Sequence, residues 1–244
     1  ALQSYSPLAL ADFRTSTMTK YGTLGAVNAA WGTNLTSTAQ ISPPTDGDTF
    51  FTSGAYRTST YGKDFIDWYN SALVTHGKTV LNAVSAALGS SFPGAALGYK
   101  VPGVHWAMTN PAYPRAAEVA AGLVQTSVDM GADATGHGYA RIVSLATQIT
   151  TSRPVILHFT CLEMSNNDTS PYYSRAQDLV FWVAKYAGTK GVTIKGENAL
   201  AGGVATSAGW DNIVNAFDWA PYTGLTVLRV GDVASGLGLS RYAA

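Results

Sequence analysis

The sequence has a single cysteine, Cys161, in 244 residues. An internal disulfide is therefore excluded, and so is a cysteine-built metal cluster, while the redox compartment stays open. Charge is scarce as well: Asp, Glu, Lys and Arg make up 12% of the chain, about half the usual quarter. Fifteen basic residues balance fifteen acidic ones, which gives no electrostatic reason to expect nucleic acid or an anionic membrane as partner. No run of 18 apolar residues occurs, so no membrane-spanning helix is expected, and no basic-then-apolar signal stands at the start. There is no phosphate-cradling glycine loop, no metal-ligand spacing and no Gly-x-Ser-x-Gly elbow, and acidic residues are too sparse for a calcium site. Neither a cofactor nor a metal is expected.

What the chain does have is 46% hydrophobic residues and 11% aromatics, enough for a sizeable core. With so few charges, its surface relies on Ser, Thr, Asn and Gly, which suits an uncharged ligand such as a sugar. Residues 1–94 read as a helical and loop region. Within it, Leu10, Phe13, Met18, Tyr21, Leu24, Val27 and Trp31 recur at helical spacing, with Gly22 splitting two short helices. Residues 61–88 give the clearest helix, with Phe65, Trp68, Ala72, Leu73, His76, Val80, Val84 and Ala87 on one stripe and Gly89 as the stop.

Residues 95–244 change texture, to four short apolar runs at 95–101, 154–159, 192–195 and 225–230. Helical patterns at 116–123, 139–150, 175–186 and 209–219 separate or follow them. Alternating strand and helix implies βαβ units and a parallel sheet. Four such strands make either a small open sheet or half of an eight-stranded (β/α)8 TIM barrel. Polar residues follow every run: Lys100 with His105 and Trp106, Thr160 with Cys161 and Glu163, Glu197 with Asn198, and Arg229 with Asp232. In a parallel barrel those positions converge on one rim, where active sites lie.

Glu197 is the focus. It is one of only three glutamates, and it ends the apolar stretch Val192-Thr-Ile-Lys-Gly-Glu197. Such a carboxylate either accepts hydrogen bonds from the backbone of a loop or acts as a general base, and both readings stand on spacing alone. Cys161 lacks the His and Asp neighbours of a thiol enzyme and reads as a small buried hydrophobe. Arg229 interrupts an apolar run and needs Asp232 or Glu197 as partner. His76 reads as packed on a buried helix face, and His137 as a loop residue.

Four segments in this order, Gly103-Val-His-Trp106, Phe159-Thr-Cys-Leu-Glu-Met164, Gly196-Glu-Asn-Ala-Leu200 and Leu228-Arg229, resemble the β-amylases of glycoside hydrolase family 14. Lys20-Tyr-Gly-Thr-Leu24, Asn28-Ala-Ala-Trp-Gly-Thr33 and Tyr61-Gly-Lys-Asp-Phe-Ile-Asp-Trp-Tyr69 look like the bacterial branch. The resemblance covers essentially the whole chain. It implies a (β/α)8 barrel that releases β-maltose, with inversion, from the non-reducing ends of α-1,4-glucans, and, from the bacterial likeness, secretion. By position, Glu197 would be the general base. Lys100 and His105 would bind glucose hydroxyls, and Thr160 would lie on an inner loop closing on the substrate. Asn198, Ala199 and Arg229 would complete the base side, with Trp106 and Leu200 as apolar surface.

The departure is the general acid. The family carries it in a Gly-Glu-Leu-Arg-Tyr-Pro-type segment at the end of the fourth strand, which this sequence lacks, and neither Glu118 nor Glu163 matches that motif. Inverting hydrolysis needs two carboxylates about 6.5–9.5 Å apart. The chain also starts at Ala1 rather than Met. It is therefore expected to be the carboxyl-terminal half of the barrel, with the amino-terminal half as its partner. Two alternatives stay open: a retaining β-galactosidase-like barrel, and a glucan-binding pseudoenzyme without the acid.

Overall fold

Ser6 caps the first helix by accepting the Ala9 N–H on its hydroxyl, and Pro7 fills the first-turn position where its missing N–H costs nothing. Helix α1 (Pro7–Tyr21) stops at Gly22, whose φ of 76° is open to glycine, and α2 (Leu24–Trp31) follows. Two short helices, α3 (Gly47–Thr52) and α4 (Ala55–Thr58), lead into the long α5 (Thr60–Leu88). The computed structural model describes residues 2–125 and 131–243. An aromatic cluster joins these helices: the Phe13 ring lies 4.9 Å from Trp68 and 5.6 Å from Phe65. Asp64 ties the same layer together, accepting from Lys20 Nζ, Tyr21 OH and Trp31 Nε1.

Four parallel strands follow, β1 (Leu97–Val101), β2 (Val155–Phe159), β3 (Thr193–Glu197) and β4 (Tyr222–Thr226), and they pair in chain order. Between them lie α6 (Ala116–Ala120) and α7 (Ala140–Ser144), then α8 (Ala176–Thr189), then α9 (Ala201–Val204) and α10 (Ser207–Trp219). Helix α11 (Gly236–Ala243) comes last.

The two faces of the sheet differ. Leu157, Phe159 and Ile194 are fully buried in one cluster with Leu179, Val183 and Ala187 of α8 and Trp210, Ile213 and Ala216 of α10. Side chains alternate along a strand, so the opposite face carries Lys100, His158, Lys195 and Glu197. The register agrees, placing Lys100 beside His158 and His158 beside Lys195.

Several expectations need correction. The fourth strand is Tyr222–Thr226 rather than 225–230, and the run that suggested it continues past the sheet to Val230, which is 82% exposed. Arg229 therefore interrupts no strand. It is exposed, and its backbone N–H, rather than its guanidinium, meets Asp232 Oδ2 at 3.2 Å. The stripe on α5 is buried only near its start, at Phe65 and Trp68, whereas Leu73, Val80, Val84 and also His76 are exposed. His137 is buried, stacked on Trp182 at 3.7 Å with Nε2 on Asp133.

Candidate active site

The carboxyl ends of β1 and β3 bring two of the expected residues, Lys100 and Glu197, into contact. Glu197 is the last residue of β3 rather than the first of a loop, and it is 8% exposed. Gly196 makes this possible, because a Cβ there would stand 2.2 Å from Leu162 Cδ2 behind the strand. Lys100 of β1 reaches Glu197 Oε2 with its ammonium at 2.5 Å. Strands lie about 4.8 Å apart, so this pair spans two strand spacings and crosses over β2.

His158 and Thr160 lie beneath that crossing by parity, two residues apart on and just after β2. Burial lowers the His158 pKa, the Lys100 and Lys195 charges lower it further, and Glu197 opposes them. His105 lies on the loop after β1, its Nδ1 2.8 Å from Ser174 Oγ, and burial lowers its pKa too. That loop is docked on the one after β2, with the Ala107 N–H donating to the Tyr172 carbonyl and the Arg175 N–H to His105 O. Trp106, 52% exposed, and Leu200, 57% exposed, offer apolar surface on the loops after β1 and β3.

Asn198 is fully buried and holds the backbone. Its Nδ2 donates to the Leu228 carbonyl at 2.7 Å, and its Oδ1 accepts the Leu228 N–H at 2.7 Å. The side chain joins the loop after β3 to the segment after β4, and its amide is committed to that task. Ala199 is exposed, and its N–H donates to Glu163. Arg229 lies next to Leu228 in the same segment, which Asn198 ties to the loop after β3.

Two glutamates besides Glu197 have fixed duties. Glu163, 4% exposed, accepts from the N–H groups of Ala199 at 3.0 Å and Leu200 at 2.7 Å. It is thus the loop-capping carboxylate that spacing allowed Glu197 to be. Glu118 is fully buried in a two-pronged pair with Arg115 and accepts from Tyr139 OH. Neither is open to a leaving-group oxygen. Lys195 was readable as a neighbour of Glu197, two residues before it, whereas Glu163 as a cap and His158 beside the site were not apparent in the sequence. The only available signal was their period-2 placement relative to Lys100 and Glu197. Among the described residues, no group of three or more His, Cys, Asp or Glu is placed to hold a metal ion, and no helix is long and apolar enough to cross a membrane.

The chain is 40% identical to a β-amylase of Niallia circulans over 97% of its own length and 37% of the relative's. It is also 40% identical to a thermophilic β-amylase of Thermoanaerobacterium thermosulfurigenes, over 98% of this chain and 40% of that one. The chain thus spans less than half the length of these relatives. The crystal structure of the catalytic domain of the Paenibacillus polymyxa β-amylase superposes with a TM-score of 0.80 at 38% identity, covering 99% of this chain and 54% of that one. Residues 1–238 match glycosyl hydrolase family 14, and the chain belongs to that family.

Proposed function

We propose that this chain carries the base side of a β-amylase-type glycoside hydrolase acting on α-1,4-glucans and releasing β-maltose with inversion. The observation that carries the reading is Glu197, a carboxylate at a strand end, facing the open side of the sheet and held by Lys100. A general base must be fixed in direction, and a single ammonium contact holds one oxygen while leaving the second for a water proton. Family membership and β-amylase relatives at 40% identity support the substrate class. Lys100 and His105 bind glucose hydroxyls, Asn198, Ala199 and Arg229 complete the base side, and Thr160 sits on the inner loop. The four strands form part of a (β/α)8 barrel whose remaining strands, and the general acid, come from an amino-terminal half. Glu118 and Glu163, both already engaged, support an acid from elsewhere. Secretion remains part of the proposal.

Proton NMR of the sugar first released from amylose by the complete protein tests the stereochemistry. Inversion requires the β anomer at the earliest times. An α anomer would favour the retaining barrel, and maltose binding without release would favour the pseudoenzyme.

A further inference from the structure

Lys195 lies on the same face as Glu197, two residues earlier on β3, and its stem crosses the neighbouring strand. A Cβ on Gly224 would stand 3.0 Å from Lys195 Cδ and 3.2 Å from Cε. Lys100 comes from the opposite side and ends on Glu197. Between the two lysines, in register with both, is His158. Its Nδ1 is shut off from solvent with no protein partner among the described residues. Glu197 is thus paired with one ammonium, that of Lys100, and His158 lies between Lys100 and Lys195 across three adjacent strands.

We propose that His158 is a positioning residue of this site, spacing the Lys100 and Lys195 ammonium groups on the open face and setting the positive charge that Glu197 meets. Charged groups face His158 from both strands packed against it, Lys100 on β1 and Lys195 with Glu197 on β3. A proton on this imidazole would place a second cation near the carboxylate that Lys100 already holds. That would hold the carboxylate proton-poor but make it a weaker base, because its negative charge would be more fully neutralised. Burial and the flanking lysines act against that proton, so the imidazole is neutral at neutral pH. For its kinetic consequence only, the proposal rests on reading Glu197 as the base.

The test is a proton-NMR titration of the His158 imidazole in the complete protein, assigned by the signal lost in His158→Asn. The midpoint is expected below the ordinary 6.5 or so, moving up in Lys195→Met and down in Glu197→Gln, each by about 0.5 unit. A midpoint in the ordinary range, unmoved by either substitution, overturns the proposal. Should His158→Asn fail to fold, assignment by elimination with His76→Asn, His105→Asn and His137→Asn gives the same reading. Kinetically, the same coupling seen from the carboxylate means that His158→Asn is expected to shift the acid limb of kcat/KM on amylose up by about 0.5 pH unit, because no imidazolium then helps to keep the base ionised. Acid limbs that superimpose contradict the role in setting basicity. If Glu197 proves not to be the base, the NMR titration still decides the charge arrangement.

Discussion

Glu163 gives its carboxylate to two backbone N–H groups of the loop that follows Glu197, and Gly203 packs so closely that a Cβ there would stand 2.2 Å from Glu163 Cγ. Replacing Glu163 by Ala strands both donors in a buried place, where losing hydrogen bonds to a charged group costs about 2–4 kcal/mol. Urea denaturation of the complete protein should show that loss. Cys161 is 2% exposed, and its thiol is pushed up to about 12 by burial and then by the Glu163 charge. Since the thiolate is the reactive form, native protein at pH 8 should resist iodoacetamide for hours and label at once in denaturant. The two histidines with lowered pKa give stability a definite sign. Between their folded and unfolded values the unfolded chain binds more protons, so their contribution is at its best above about pH 6.5 and is lost as pH falls. Residue types at strand ends made the site legible in the sequence. Which carboxylate caps and which faces the open side depends on where loop N–H groups point, and that was not legible.

At the scale of elements, three strands and the long α5 were readable because apolar runs and helical periodicity are local signals. The fourth strand was displaced because Leu225-Thr-Val-Leu-Arg-Val230 is the more apolar run, yet pairing is set by an anchor outside it. Tyr222 is buried, and its hydroxyl donates to the Val180 carbonyl of α8, which fixes β4 at Tyr222–Thr226. The exposed part of the α5 stripe shows the same limit, since periodicity marks a face without saying what covers it. Gly62 shows what the junction of α4 and α5 demands: a Cβ would stand 2.0 Å from the Ala55 carbonyl oxygen, a backbone atom that cannot swing away. Gly62→Ala is expected to cost about 3 kcal/mol, visible as a lowered midpoint in thermal or urea unfolding. Asn198→Ala should loosen the link to Leu228 and weaken glucan binding, raising KM, because the segment carrying Arg229 loses its tie to the loop after β3.

On the scale of the whole molecule, β1 and β4 are the edge strands of the sheet among the described residues, and one face carries Lys100, His158, Lys195 and Glu197. Free strand edges promote association. Expressed alone, residues 1–244 should bind a hydrophobic dye or elute above the 25.6 kDa monomer, and a dye-free, monomeric, cooperatively melting chain would count against the part-barrel reading. The central claim is that Glu197 activates water. The turnover of amylose by the complete protein carrying Glu197→Gln tests it most directly, because the amide keeps the shape and removes the base. The account predicts a fall of at least about 100-fold in kcat with the fold intact, and a rate within about tenfold of the unsubstituted protein would contradict it.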